Sequence, residues 1–440
     1  MNAAPKPASL LNPPKAVLEI AATLEAAGYE TWCVGGAVRD ALLGKAHLDW
    51  DLATQARPER IRALFQRTVP IGVEFGTVAV FGRDGVAHEV TTFRRDVRTD
   101  GRHAEVEFGV SLDDDLARRD FTINAIAYSP SSRTIHDPFE GQQDLARKLV
   151  RAVGEPRTRM MEDRLRALRA LRFASRFGFE IDPATWRAIV ESAPFLTRLS
   201  RERVKQELEK TMDQVQKPSS AMERWRAAGA FQSLIPELRA QPIEAFRAAD
   251  AIGLPEATSR KALSSSRRMA RLATLFLGLD DAAVRKTLRE LRFSNRETEW
   301  IGNVTAAWQH LEPEMCTALA SSTGVTDAML RRWIAVAGRT VARDLFRVTA
   351  ARWREAPGAP SPRIVARMYR RATRVAFRDP VAIGDLAIDG DDLRVIGVAP
   401  GPRVGSMLRA LLDLVIEDPA LNDRGALLDL ARHINARGEQ

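Results

Sequence analysis

Between Pro14 and Ala27 the apolar positions Val17, Leu18, Ile20, Ala21 and Leu24 fall at helical spacing, with Pro14 suited to a first turn and Gly28 to an ending. The period then drops to two. This spacing predicts a strand over 31–34, a glycine turn at Gly35-Gly36, a helix near 36–43 and a second strand through Leu48-Asp49-Trp50-Asp51-Leu52. A helix over 54–67 follows, then strands at 76–81 and 86–93 joined by Gly82-Arg83-Asp84-Gly85, a hairpin turn by composition. Residues 94–109 break every period and read as a mobile loop, whereas Glu162 to Phe173, free of Gly, Pro and β-branched residues, predicts one continuous helix. After Asp182 the pattern is almost wholly helical, with breaks at Lys217-Pro218-Ser219-Ser220, Ser264-Ser265-Ser266 and 356–362. Residues 1–13, rich in Pro and Ala, read as a disordered leader.

Successive side chains of a strand point to opposite faces, so Asp49 and Asp51 share one face and Leu48, Trp50 and Leu52 the other. Two carboxylates about 7 Å apart along a strand can reach divalent ions spaced roughly 3.5–4 Å apart, an arrangement suited to in-line phosphoryl or nucleotidyl displacement. The Asp-x-Asp string alone carries little, because it recurs at Asp113-x-Asp115 and Asp389-x-Asp391. On the strand His88 to Phe93, alternation places Glu89 opposite Val90, a possible third carboxylate near the metals or a solvated surface residue. Arg118 and Arg119 stand just before a predicted helix that Asp120 or Thr122 can cap, a place to bind a triphosphate. On the helix from Glu162, Asp163 and Arg166 are neighbours at i, i+3, while Arg169 and Arg172 wind onward round the axis.

Charge sharpens the picture. Sixty-six basic residues against 57 acidic ones give a net charge of +9, and only nine of the basic residues are Lys. An Arg-rich chain is expected to meet polyanions, because guanidinium forks onto phosphate oxygens and displaces counterions. Two cysteines, Cys33 and Cys316, provide neither a disulfide framework nor a zinc ligand set, and no stretch has the length and apolarity of a membrane span. A cytoplasmic protein is expected.

The string Gly35-Gly36-x-Val38-Arg39-Asp40, a short spacer and Asp49-x-Asp51 resembles the head of the class II CCA-adding enzyme and bacterial poly(A) polymerase family, within the polymerase-β-like nucleotidyltransferases. Arg118-Arg119-Asp120-Phe121-Thr122-x-Asn124-Ala125, Asp137-Pro138-x-x-Gly141 and Glu162-Asp163-x-x-Arg166 extend the likeness in order along the chain. The resemblance implies that Asp49 and Asp51 hold Mg2+, that Gly36, Arg39, Arg118 and Arg119 hold a nucleotide triphosphate, and that Arg169 and Arg172 contact the nucleotide further. It assigns the loop bearing Arg94, Arg95, Asp96, Asp100 and Arg102 to nucleotide positioning and to the switch between adding C and adding A. Asp163 and Arg166 become a protein template: cytosine and adenine each show an amino donor beside a ring-nitrogen acceptor, which a carboxylate and a guanidinium can match. Uracil and guanine reverse that polarity, and sites of this kind discriminate by roughly 10⁴–10⁵.

The implied architecture is an α+β head with a mixed sheet followed by an all-α neck, body and tail: 1–27 leader and first helix, 28–153 head, 154–215 neck, 216–375 body and 376–440 tail. The resemblance brings tRNA, through its acceptor arm and 3′ end, and CTP and ATP as partners. Adding C, C and A to tRNA is the leading expectation. A poly(A) polymerase, an enzyme adding only A or only CC, and a non-catalytic tRNA-binding protein stay open. Oligomeric state is not legible.

Overall fold

The computed structural model describes residues 11–45, 49–99, 104–252, 261–321, 324–355 and 360–437. Residues 1–10 of the expected leader, Leu48, Asp100 and Arg102 lie outside the described residues, as do the side chain of Asp96 and most of the break at 356–362. The chain divides into two compact units, one of residues 1–207 with 223–236 and the other of 208–222 with 237–440.

The first unit opens with α1 (Lys15–Ala26), which buries Val17, Ile20, Ala21 and Leu24 along one stripe. Leu11 of the expected leader is packed as well, at 5 % exposure. In order there follow β1 (Thr31–Val34), α2 (Gly36–Leu42), β2 (Asp51–Thr54), α3 (Pro58–Leu64), β3 (Thr68–Gly72), β4 (Thr77–Phe81) and β5 (Ala87–Thr92). Next come β6 (Arg94–Thr99), β7 (Ala104–Phe108), α4 (Leu112–Ala117), β8 (Ala127–Tyr128), β9 (Ile135–His136) and α5 (Gly141–Arg147). Seven strands form one mixed sheet in the order β3-β4-β5-β2-β1-β8-β9. Only β2 and β5 run parallel in it, and β1 and β2 lie at its centre.

Three local expectations are corrected here. The helix expected from residue 54 starts at Pro58, because Thr54 is paired to Thr31 on one side and Thr92 on the other. β3 was not expected; Pro70 sits within it, which an edge strand tolerates because one side of its ladder is unpaired. The stretch 94–109 is not a featureless loop but a separate two-stranded ribbon, β6 against β7, joined across the strands by Arg95 and Glu107 at 2.7 Å. β6 is polar in sequence, Arg94-Arg95-Asp96-Val97-Arg98-Thr99, and only β7, with Val106 and Phe108 half-buried and Glu107 exposed, carries the alternation of a strand.

The rest of this unit is α6 (Pro156–Glu162), α7 (Leu165–Phe177), α8 (Pro183–Ser192), the start of α9 (Arg201–Gln214), the end of α10 (Pro218–Ala227) and α11 (Ala230–Leu234). The second unit is helical among the described residues. It holds α12 (Ile243–Ala251), α13 (Lys261–Leu275), α14 (Asp281–Glu290), α15 (Asn295–Ala320), α16 (Asp327–Ala337), α17 (Arg339–Trp353), α18 (Pro362–Arg378), α19 (Gly390–Val395), α20 (Pro402–Glu417) and α21 (Arg424–Arg437). The expected break at Ser264-Ser265-Ser266 is corrected: α13 runs through it, since serine is a middling helix former and not a breaker. Leu386, Leu393, Leu411, Val415 and Leu427 gather a small apolar core of their own around α19 to α21. Among the described residues no helix is long and apolar enough to cross a membrane.

Candidate active site

β1 delivers the chain into Gly35, whose φ of 75° and ψ of −134° suit glycine alone. A Cβ there would lie 3.1 Å from Nη1 of Arg119 and 3.9 Å from Oδ2 of Asp51. The bare backbone therefore lets an arginine and a carboxylate close in on the same turn. Pairing of Val34 with Asp51 sets that carboxylate at the end of the β1-β2 ladder, next to the turn. Asp49 lies in the extended run just before β2 rather than on the strand, yet the alternation holds: Asp49 is exposed, Trp50 and Leu52 are buried, and Asp51 is half-buried.

The parallel register Leu52 to Val90 makes Asp51 and Glu89 same-face neighbours on β2 and β5. Burial, then the charges of Glu89 and Asp49, push the Asp51 carboxyl up to about 7, against the opposing pull of Arg119. Carboxylates crowded in this way are an oxygen donor set for a hard divalent cation, whose charge would relieve their repulsion. Among the described residues no three His, Cys, Asp or Glu side chains group closely enough to enclose an ion by themselves. Mg2+ ordinarily takes one or two protein carboxylates and completes its shell from water and substrate phosphate, so the set fits that ion.

Arg118 and Arg119 follow a helix rather than precede one, since α4 ends at Ala117 and only a 3-10 turn, Thr122–Asn124, comes after. What holds them is Asp115, 1 % exposed. One of its oxygens accepts from Nη2 of Arg118 at 2.7 Å and the other from Nη2 of Arg119 at 3.0 Å. Burial works to raise that carboxyl, but the two guanidiniums hold it below the usual carboxylate range. Sequence reading passed over Asp115 as part of an uninformative acidic string; its signal was the i+3 and i+4 spacing to the two arginines. Nε of Arg119 is buried without a hydrogen-bond partner. Arg39 takes another course. At 3 % exposure it donates to Asp40 at 2.8 Å and Asn124 at 2.5 Å, and its guanidinium lies over the rings of Phe173 and Phe177. Gly36 sits against this buried guanidinium, 3.5 Å from its Nη2 to a would-be Cβ.

The single helix expected over 162–173 is broken at Asp163, whose φ of −145° and ψ of 103° end α6. Its Oδ1 accepts from the Leu165 amide at 3.0 Å and starts α7, while its Oδ2 pairs with Arg203 of α9 at 2.8 Å. Asp163 and Arg166 therefore do not share a helix and make no ion pair with each other. Arg166 instead reaches Glu162 at 2.6 Å and the carbonyls of Arg159 and Arg118 at 3.0 and 2.8 Å. Arg169 pairs with Asp120 at 2.7 Å. Burial opposes ionisation of Asp120, yet Arg169, Asn124 and the Phe121 amide hold its carboxyl down to about 2. Arg172 and Glu207 form a pair at 2.7 Å, with 3 % and 1 % exposure. Sequence reading missed Asp120, Arg203 and Glu207 as partners because they are distant along the chain; Glu162 was legible as i, i+4 to Arg166. On the ribbon, Arg94 donates to the Phe75 carbonyl and lies over that ring.

A glycine turn flanked by carboxylates and fixed arginines on a mixed sheet defines a nucleotidyltransferase head. Residues 31–151 match the family described as the Poly A polymerase head domain, and residues 178–241 match the probable RNA and SrmB-binding site of polymerase A. The chain belongs to the family of CCA-adding enzymes. It is 34 % identical to the CCA-adding enzyme of Levilactobacillus brevis over 92 % of this chain and 94 % of that one. With the enzyme of Geobacillus kaustophilus the identity is 35 %, over 94 % and 96 %. The crystal structure of the Bacillus stearothermophilus CCA-adding enzyme in complex with CTP matches with a TM-score of 0.76 and 33 % identity, covering 98 % of this chain and 99 % of that one.

Proposed function

We propose that the protein adds C, C and A to the 3′ end of tRNA from CTP and ATP, in the cytoplasm and without a nucleic-acid template. The observation that carries the reading is the crowding of Asp49, Asp51 and Glu89 beside Arg119 over the Gly35 turn. In the reaction the terminal 3′-oxygen of the RNA bonds to the α-phosphorus, the bond to the bridging oxygen breaks, diphosphate departs and the hydroxyl proton is lost. Asp49 and Asp51 would hold Mg2+, with Glu89 keeping the local field negative. A divalent cation at such a pair supplies charge neutralisation on the phosphates and a more acidic attacking hydroxyl. Arg118 and Arg119, aimed by Asp115, take the triphosphate oxygens through charge-assisted hydrogen bonds. Arg39 serves the same end from beneath, fixing the glycine turn against α7.

Base choice in this reading belongs to Asp163 and Arg166. Each already has a partner, Arg203 and Glu162, so an incoming cytosine or adenine must draw them away. A base of the wrong polarity leaves both unmatched and the original pairs intact. The test is incubation with tRNA lacking its 3′ end, Mg2+ and each nucleotide singly and together, reading product length. Three added residues with CTP plus ATP are expected; a long A ladder would mark a poly(A) polymerase, and no extension would overturn the reading. Arg166→Ala should lower the preference for CTP over UTP by at least about 100-fold.

A further inference from the structure

In the second unit, three guanidiniums surround one cavity of about 480 Å³ between α12, α17 and α18. Its apolar wall is Ile252, Ala350, Ala351 and Val365, with Tyr369 beside them, and its charged lining is Arg347, Arg354 and Arg370. None of these three makes a side-chain hydrogen bond or ion pair among the described residues. The charges of Arg267 and Arg271 reach Arg347 and add to the positive field. The carboxylate on the same helix is Asp344, 8 % exposed, with Oδ1 lacking a hydrogen-bond partner. Burial disfavours its charged form and outweighs the opposing charges of Arg343 and Arg347, which weakens it as a counterion.

Arg370 also belongs to a longer feature. α18 has 17 residues, six arginines and no carboxylate. Arg371 pairs with Asp327, whereas Arg363, Arg367, Arg370, Arg374 and Arg378 are exposed and unpaired among the described residues. At 100° and 1.5 Å per residue they occupy an arc of about 80° over roughly 22 Å, a single stripe. Phe377, 73 % exposed, lies beside its end. Unpaired guanidiniums in a row with an exposed ring are the surface that meets a phosphate backbone.

We propose that this cavity is a nucleotide site: an unpaired base against the apolar wall and Tyr369, its phosphate on Arg347, Arg354 and Arg370, and neighbouring phosphates along α18. The volume is in the range of small-ligand sites, and a base stacks on an aromatic ring whatever its identity. The stripe favours a nucleotide within an RNA strand over a free one, and in that respect the proposal rests on the RNA-directed function above.

The test uses the full chain, labelled tRNA lacking its 3′ end, and CTP. Arg354→Glu with Arg370→Glu reverses charge at exposed positions, and Ala366→Trp fills the cavity from its exposed wall without changing charge. Circular dichroism and melting confirm that both variants fold. The charge-reversed protein should bind tRNA at least about 10-fold more weakly, with a salt slope shallower by about two. Ala366→Trp should weaken tRNA several-fold with the slope unchanged, and CTP should bind at one site per chain throughout. If wild-type protein takes two CTP, Ala366→Trp takes one and tRNA affinity is unaltered, the site is a nucleotide site for the free form. If Ala366→Trp matches wild type in both assays, the proposal is overturned, whatever charge reversal does. Wild-type protein that binds tRNA but adds nothing to it would overturn the proposed function while leaving these binding results readable.

Discussion

Asp51 and Asp120 are carboxylates displaced in opposite directions, and the two predict opposite responses to pH. Asp51 stays protonated up to about 7 in the folded chain but ionises near 3.8 when unfolded. Between those values the unfolded state is the one that loses its proton, so folding stability falls as pH rises from about 4 to 7. Asp51→Asn should remove that slope in the ligand-free protein, melting higher than wild type at pH 8, and should abolish nucleotide addition. Added Mg2+ should raise the melting temperature of wild type at pH 8 and leave the variant unmoved. Asp120, held to about 2, contributes stability that is present above pH 3.8 and lost as pH falls toward 2. Asp120→Asn should cost about 2 kcal/mol at pH 7 by denaturant titration, and the gap should close in acid. At Gly35 the prediction is steric: Gly35→Ala forces a side chain into glycine-only backbone and against Arg119. It should cost about 1–3 kcal/mol of stability, and steady-state kinetics should show kcat/KM for CTP reduced by at least about 10-fold.

At the scale of elements, α9 is fastened to α7 by Arg172 with Glu207 and to the end of α6 by Asp163 with Arg203. The first pair is buried, so Arg172→Ala should destabilise by about 3–5 kcal/mol because it strands a carboxylate. Arg172→Met with Glu207→Leu should recover most of that loss in the same urea titration. Such fastenings explain what was legible in the sequence. The strands at 31–34, 77–81 and 87–92 announced themselves as short runs rich in apolar and β-branched residues between glycine turns, and Asp51 came with them. The break at Asp163 did not, because every residue near it favours helix and the stop is made by its own side chain capping α7 while Arg203 holds the other oxygen. In the ribbon of β6 and β7 the period is short: β6 is mostly charged, and the alternation is confined to the five residues of β7. Asp115 escaped notice for a related reason: an acidic string looks solvated until folding turns one member inward onto two arginines.

For the whole molecule, a net charge of +9 carried almost wholly by arginine sets the expected behaviour toward RNA. With about five phosphates neutralised, tRNA affinity should fall about 10²–10³-fold between 50 and 200 mM salt, measured by anisotropy. The division into units has a further consequence. The chain passes between them three times, after residues 207, 222 and 236. Residues 223–236, which bring the buried Trp225, Phe231 and Leu234 to the catalytic unit, are thus translated only after a segment belonging to the other. A ribosome making this protein cannot release a finished catalytic half early, and a gene cut at residue 207 should yield a fragment with an open apolar wound that collects in inclusion bodies.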